Sequence, residues 1–522
     1  MTPKIIVFRV DASLEIGTGH VMRCLTLASA LRDQGCDCHF ICREHPGNLS
    51  NLISERGFKV YRLPVDNMPA EFSPSPDSSE YAPWLGSDWR TDATQVRSTI
   101  CDLTVEWLVV DHYAIGFRWE KELRPFCGKL MVIDDLADRE HDCDLLLDQN
   151  LVEGWQERYR GKVPTNCGLM LGPEYALLQP LYSELHDRTP PREGLVRRIM
   201  VYFGGADADN LTGITISAFT SLQTEDIAMD VVINPSSPHA TSVRHQAKKD
   251  RRIILHENLP SLAPLMVKAD LAIGAAGATS WERCCLGLPS LVITMAKNQE
   301  PIAKQSDKTG LVHWIGQKNN VDMPKLAQAL QRVIKTGLSS EWSQRCASLV
   351  DGQGIKRVTA LTLLNAQTHL RARLARLKDE SKILQWANDP LVRLNAFQPQ
   401  SIDPATHRKW FYGRLRDIDN CQLYIVETEN GIPIGQVRFE KKVDMWELSY
   451  ALDSCARSRG LGKRLLQTGI SAFRASIKRA KIMARVKKGN IRSCKVLSDI
   501  NFQLENITDG IITYSIEIVQ QF

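Results

Sequence analysis

The sequence predicts an α/β protein made of two tandem parallel-sheet domains followed by a third domain with a mixed sheet. Three observations predict it. A length of 522 residues allows about three independently cored domains. From residue 4 onward, and again from about residue 197, short apolar runs alternate with helical patterns, as in βα units around a parallel sheet. Beyond residue 378 the order changes to a helix, three strands in succession, a long helix, a strand, a helix and a last strand. That order implies a mixed sheet.

In the first domain, 1–185, the runs "KIIVFRV", "CHFIC", "KVYRL", "WLVVDHY" and "KLMVIDD" read as strands, with helices over 19–34 and near 48–56 and a Pro/Ser-rich loop at 64–90. The second domain, 186–360, carries "RRIMVYFGG", "MDVVI", "RIILHE", "DLAIGAAG", "SLVITM" and "LVHWIG", each followed by helical sequence. "HDRTPPREG" breaks the periodicity between the two. An Arg-rich, helical stretch ends in a linker at 361–377. The third domain, 378–522, then runs through "QLYIVE", "GIPIGQVRFE", "WELSYALD", a long helix from 460, "IMARV" and "IITYSIEIV".

Ordinary apolar and charged content excludes disordered and fibrous classes. No apolar run approaches a membrane span, and "MTPK" leads straight into a strand without a signal pattern, so a cytoplasmic protein without membrane contact is expected. The 14 cysteines lack paired C-x-x-C spacing, and "CDC" (36–38) and "CC" (284–285) have no matching partners. They read as reduced thiols, with no metal site. Residues 371–522 hold 26 Lys+Arg against 16 Asp+Glu, a net of +10, and the rest of the chain is at −5. Such a basic end suits either nucleic acid or a phosphorylated cofactor.

In "RVDASLEIGTGHVMRC" (9–24), Gly17 and Gly19 permit a tight turn and close ligand approach, but the third glycine of a dinucleotide fingerprint is missing, since Met22 stands there. His20 falls in the first turn of a helix, where the positive end of the dipole disfavours imidazolium and suits a general base. From position alone, a solvated histidine at a helix start fits equally. Asp11, ending the first strand, is placed to orient the imidazole, because strand C-termini line the crevice of open α/β sheets. Asp111, His112 and Tyr113 end another strand and face the same crevice or act as caps.

"IGAAGATSWERCCLGLPSLVI" (273–293) reads as strand, glycine loop, helix, turn and strand. Gly277, Ala278, Thr279 and Ser280 would offer amides to a diphosphate, and Glu282, one turn on, would accept from ribose hydroxyls. A plain small-residue packing turn remains the other reading. "YFGGADADN" supplies a further glycine turn at Gly205 and a D-x-D at Asp207 and Asp209 that chance can produce. "AKNQEP" places Asn298 and Gln299 near a sugar or merely in a polar loop.

Together these motifs resemble the GT-B fold of UDP-sugar enzymes, the MurG-like group above all. "RVDASLEIGTGHVMRCLTLA", "VVDHY", "MLGPEYALL" and "FGGAD" are similar to the hydrolases of pseudaminic acid biosynthesis that remove UDP from UDP-2,4-diacetamido-2,4,6-trideoxy-β-L-altropyranose. The resemblance spans roughly residues 4–355. It implies that His20 is the catalytic histidine, that Asp11, Tyr113 and Asn298 lie at the sugar, and that Glu282 binds UDP. Water would attack the anomeric carbon with inversion and no metal.

"RSRGLG" (457–462) lies between the strand "WELSYALD" and a helix and resembles the pyrophosphate-binding motif of the GNAT acetyltransferases over about 378–522. The resemblance implies acetyl-CoA binding by Leu452, Arg457, Arg459, Gly460, Leu461, Gly462 and Lys463, and by Asn490 and Ser493 of "NIRSCKVLSDINF". Two departures stand out. Asn501 replaces a glycine, and Leu497 replaces the tyrosine that protonates the CoA thiolate in many members. Glu447 is a possible base for the amine or simply a surface glutamate. CoA phosphates account for the local +10 without nucleic acid, and "RASIKRAKIMARVKK" reads as a solvated face.

The joint resemblance implies a bifunctional enzyme whose two sites serve one metabolite, acetylating a UDP-amino-sugar and then releasing UDP. A GT-B glycosyltransferase carrying a regulatory CoA-binding module is the alternative. The oligomeric state is left open.

Overall fold

The computed structural model describes residues 3–65, 80–205, 207–222, 224, 226–477 and 479–519. Residues 66–79 of the expected Pro/Ser-rich loop lie outside the described residues. The chain divides into two compact units, Met1–Pro164 with Met170–Thr359, and Thr165–Leu169 with Ala360–Phe522.

The first unit holds two parallel sheets. One is ordered β3-β2-β1-β4-β5-β6-β7, from β1 (Ile5–Val10), β2 (Asp37–Arg43), β3 (Lys59–Leu63), β4 (Val105–Asp111), β5 (Lys129–Ile133), β6 (Leu145–Asp148) and β7 (Gly168–Leu171). The other is ordered β10-β9-β8-β11-β12-β13, from β8 (Arg198–Tyr202), β9 (Ala228–Ile233), β10 (Ile253–Glu257), β11 (Leu271–Ala275), β12 (Ser290–Thr294) and β13 (His313–Gln317). The central strands are continuous apolar runs because helices cover both faces: Ile6, Val7, Phe8, Leu108 and Val109 are fully buried. In both sheets the strand order reverses beside the first strand of the set. The loops after β1 and β4, and those after β8 and β11, therefore diverge and leave a crevice at the strand C-termini. Register fixes the first crevice, since Val10 lies opposite Asp111.

The domain join expected at 185/186 falls inside a packed region. Ala176, Leu178 and Tyr182 share a core with Met200, Trp281 and Cys285 of the second sheet. Apolar burial here overrides the Pro/Gly signal that follows.

The second unit is one mixed sheet, β14-β15-β16-β17-β18-β20-β19, from β14 (Leu370–Leu374), β15 (Cys421–Thr428), β16 (Pro433–Lys441), β17 (Trp446–Leu452), β18 (Arg479–Lys487), β19 (Gln503–Thr508) and β20 (Ile511–Val519). The expected linker 361–377 is corrected by β14, which pairs antiparallel with β15. Arg371 and Arg373 turn to one face and both bond the buried Glu427, at 2.9 and 2.8 Å. Two arginines spaced by two residues thus serve a strand, not a helix. Strands β17 and β18 are parallel and pair only at Trp446–Ile482 and Glu447–Met483. Past those two pairs the strands part, which opens the sheet beside the 457–462 loop.

Candidate functional site

The turn before His20 is built locally. Ser13 Oγ accepts the amides of Glu15 and Ile16, and the Gly17 amide bonds Ser13 O at 2.9 Å. Gly17 sits at φ +80°, where other residues are strained. The helix Gly19–Asp33 starts at once, so His20 and Arg23 share its inner face.

His20 Nδ1 lies 2.6 Å from Asp111 Oδ1. Arg23 grips the same carboxylate through Nε at 2.6 Å and Nη2 at 2.7 Å, and reaches Asp135 at 2.8 Å. Asp135 in turn accepts from Tyr113 Oη at 2.7 Å and Asn150 Nδ2 at 2.6 Å. Burial alone would raise the Asp111 carboxyl, but Arg23 and His20 hold it well below the usual carboxylate range. An ionised carboxylate only accepts, so Nδ1 carries the hydrogen and Nε2 faces away from Asp111. Burial, and Asp135 beside it, push the Tyr113 phenol well above its ordinary value, so it stays neutral.

Asp11 does not orient His20. It is fully buried, accepts from the Arg43 amide at 2.7 Å and is ion-paired with Arg9 Nη1 at 2.7 Å, with His112 Nε2 at 3.3 Å. Asp11 therefore ties together the ends of β1, β2 and β4, and Asp111 takes the orienting position. His112 also turns inward, its Nδ1 accepting from the Ala114 amide at 3.1 Å. Burial lowers its basicity.

Across the first unit, a Cβ at Gly205 would lie 4.0 Å from Thr18 Oγ1 and 3.6 Å from Asn234 Nδ2. The "FGGAD" loop thus faces the Gly17–Gly19 turn. Asp207 accepts the amides of Leu211 and Thr212, and Asp209 pairs with Lys318 at 2.7 Å. The D-x-D spacing serves a helix cap and an ion pair, and among the described residues no group of three metal-ligating side chains is found.

Gly277 and Ala278 precede the helix Thr279–Cys285; the amides of Ser280 and Trp281 turn back onto Gly277 O and Ala278 O, which leaves those of Ala278 and Thr279 at the helix opening. Ser280 faces inward: its amide bonds Gly277 O at 2.9 Å and its hydroxyl accepts from Arg283 at 3.1 Å. Arg283 also bonds Ala275 O at 2.8 Å and Thr279 Oγ1 at 3.2 Å, bracing the turn from beneath. Gly274 serves packing, since a Cβ there would come 2.4 Å from Tyr202 O.

Glu282 is half-buried as a residue, but its Oε2 is sealed and unpartnered among the described residues. Burial pushes its carboxyl up to about 7 against a hydrogen bond from Tyr182. Asn298 is half-buried in the turn Lys297–Gln299 after β12. Its neighbour Gln299 accepts the Met295 amide at 2.9 Å and lies 3.9 Å from a Cβ placed on Gly277.

In the second unit, Gly460 (φ +74°) turns the chain into the helix Leu461–Ser476, whose opening amides at Leu461 and Gly462 lie beside exposed Lys463. Gly462 lets this helix approach Val496, whose Cγ2 would stand 3.4 Å from a Cβ placed on that glycine. Arg457 bonds Leu452 O at 3.1 and 3.2 Å and pairs with Asp389 at 2.8 Å. Arg459 is buried and donates to the carbonyls of Leu361, Thr362 and Leu364 at 2.7–3.1 Å. It closes a helix end, so its guanidinium is taken up by three carbonyls.

Asn490 Oδ1 accepts the Ser493 amide, capping the helix Ile491–Asp499. Leu497 is fully buried. Glu447 is ion-paired with Arg485 at 2.5 Å, a poor setting for a base. Sequence reasoning missed the roles of Arg23, Asp135 and Tyr450. The Tyr450 hydroxyl donates to Ser493 Oγ at 2.9 Å, three residues past the last β17–β18 pair.

Residues 369–503 match the acetyltransferase (GNAT) domain family. The second unit carries a GNAT domain. The chain is homologous to a UDP-2,4-diacetamido-2,4,6-trideoxy-beta-L-altropyranose hydrolase of Campylobacter jejuni, 27% identical over 307 residues that cover 58% of this chain and 97% of that protein. An uncharacterized protein of Methanocaldococcus jannaschii is 20% identical over 512 residues, 94% of this chain and 95% of its own. Among solved structures, MurG of Acinetobacter baumannii matches at 14% identity and a TM-score of 0.49, over 69% of this chain and 99% of that one. The GNAT domain is thus one part of a chain of which the archaeal protein matches 94%.

Glu282 makes stability depend on pH. Its folded value is about 7 against 4.5 in an unfolded chain, so between these the folded state keeps a proton the unfolded state has lost. Stability is therefore full below pH 4.5 and falls as pH rises towards 7. Glu282→Gln removes this fall, and denaturant unfolding at pH 4.5 and 8 should show the variant gaining on the wild type by on the order of 3 kcal/mol at the higher pH.

Proposed function

We propose that the chain is a bifunctional enzyme of pseudaminic acid biosynthesis, a route to a nonulosonic acid of bacterial surface glycans such as those on flagellin. The GNAT domain acetylates the 4-amino group of a UDP-4-amino-4,6-dideoxy sugar with acetyl-CoA. The first unit hydrolyses the resulting UDP-2,4-diacetamido-2,4,6-trideoxy-altropyranose to the free sugar and UDP. The observation that carries the hydrolytic reading is the His20–Asp111–Arg23 cluster opposite a glycine turn in one unit.

His20 Nε2 takes a proton as water attacks the anomeric carbon, and Asp111 stabilises the imidazolium that forms. The C–O bond to UDP breaks in the same displacement, which inverts the centre. The amides at Ala278 and Thr279 meet the charge gathering on the departing diphosphate. Glu282 accepts from the ribose, and Tyr113 and Asn298 contact the sugar. The mechanism uses no metal.

In the GNAT domain the amides at Gly460–Gly462 bind the CoA pyrophosphate, with Lys463 and Arg457 at its rim. The free amine attacks the thioester in the opening between β17 and β18, and the thiolate leaves. With Leu497 in the core, Tyr450 supplies the thiolate's proton, and the proton that the amine sheds as the C–N bond forms returns through Ser493 to the phenolate. The excess of positive charge is assigned to CoA and UDP phosphates, with nucleic acid no partner. None of the 14 cysteines forms a disulfide, which fits a cytoplasmic location, and among the described residues no helix is long and apolar enough to cross a membrane.

The buried Leu497 favours a second reading, a silent CoA-binding module on a glycosyltransferase. Thiol release with the amino-sugar nucleotide, and prompt UDP release in buffer without any acceptor, argue against it. His20→Ala should abolish UDP release while CoA release continues at the wild-type rate. Loss of both in a folded protein overturns the separation of sites. Asp111→Asn should lower kcat for UDP release about 10²–10⁴-fold with little change in KM, because the imidazole loses its tautomer. Tyr450→Phe should lower kcat for acetyl transfer about 10²-fold, leaving hydrolysis and the KM for acetyl-CoA unchanged in steady-state assays.

A further inference from the structure

The proposed hydrolysis leaves an aromatic wall beside His20 without a role. Trp84 stacks on Tyr113 with ring centroids 5.6 Å apart and planes at 20°. Tyr81 meets both edge-on, 5.1 Å from Tyr113 and 4.7 Å from Trp84. Tyr113 in turn meets the His20 ring edge-on at 4.6 Å. The indole nitrogen of Trp84 donates to Glu15 Oε1 at 3.0 Å, which ties the wall to the loop that leads into His20.

Two features set this cluster apart from ordinary core packing. Leu85, next in the chain, is sealed, whereas Tyr81 and Trp84 are only half-buried and keep part of their ring surface open. The polar handles of the two inner rings are already committed, Trp84 to Glu15 and Tyr113 to Asp135. What Trp84 and Tyr113 present beside the base is therefore ring carbon. A sugar hydroxyl laid against it would lose water without gaining a partner, whereas a methyl group would gain apolar contact.

We infer that Trp84 and Tyr81 form the subsite for the C6 methyl of the sugar and make the hydrolytic site select 6-deoxy sugars over their 6-hydroxy counterparts. The inference rests on the proposed function, in which the sugar lies at His20 and lacks oxygen at C6. A hydrophobic pocket discriminates against one added hydroxyl by about 10–100-fold, and the wall should supply most of that ratio.

The test uses the full-length protein and two substrates, UDP-2,4-diacetamido-2,4,6-trideoxy-altropyranose and the same compound carrying a C6 hydroxyl. The wild type should favour the first by at least about tenfold in kcat/KM for UDP release. Trp84→Ala should bring the ratio to within about threefold, mainly by slowing the deoxy substrate, and Trp84→Phe should keep most of it. The circular dichroism and cooperative denaturant unfolding of the same preparations should stay at the wild-type values and report that the first unit is folded. If Trp84→Ala fails that check, Tyr81→Ala is read in its place. A ratio unchanged in the folded variant, or both substrates slowed alike, overturns the inference and leaves the hydrolase reading standing. Release from neither substrate by the wild type overturns both.

Discussion

The Asp111 carboxylate, buried without water and shared between an imidazole and a guanidinium, is the constraint on which the first unit depends. A lone carboxylate there would cost several kcal/mol, and the Arg23 fork offsets that cost only because its geometry is bidentate. The same fork reaches Asp135, so one arginine fixes both the acid behind His20 and the acid behind Tyr113. The helix Gly19–Asp33 is thereby pinned to the ends of β4 and β5. Its glycine turn cannot drift without stranding a buried charge. Rigidity of the site and integrity of the fold are one interaction here.

The two sheets of this unit use one topological device for different chemistry. Each reverses strand order beside its first strand and opens a crevice at the strand ends. In the first sheet the crevice is filled by ionisable side chains that neutralise one another. In the second it is lined by backbone, with Arg283 spent beneath the turn as a brace. A general base needs a shaped electrostatic surround, whereas a diphosphate needs open amides. Proximity of Gly205 to Thr18 brings the two kinds of surface together.

The strands of both parallel sheets, apart from β6 and β7, were legible in the sequence because apolar runs between helical patterns have few other readings. His20, the glycine turns and the 457–462 loop were legible for the same reason, since tight turns demand particular residues. The pairing of side chains was not. Asp11 and Asp111 are both aspartates at strand ends in adjacent register, and successive strand residues point to opposite faces. Which acid meets the helix depends on where each strand stops, to within one residue. Arg459 stands in a motif whose arginines suit phosphate, yet it closes a helix end, because the carbonyls of Leu361, Thr362 and Leu364 come from nearly a hundred residues away. Strand β14 hid in an alternation of arginine and leucine that becomes a strand only once Glu427 is buried opposite it. Each miss is a long-range contact that local pattern does not encode.

Asp111 and Glu282 make the sharpest contrast in the unit. Both carboxyl groups are sealed from water, yet cations hold one well below the usual range and the other is pushed up to about 7. The difference lies in their partners: Asp111 has a guanidinium and an imidazole, and Glu282 has a phenol and an unpartnered oxygen. A pair of acids driven apart in this way divides the labour. Asp111 stays charged throughout and fixes the tautomer of His20. Glu282 keeps one oxygen without a donor, so its proton costs less to hold than its charge. Permanent cations fix the charge of one acid, and the other is left one bond short.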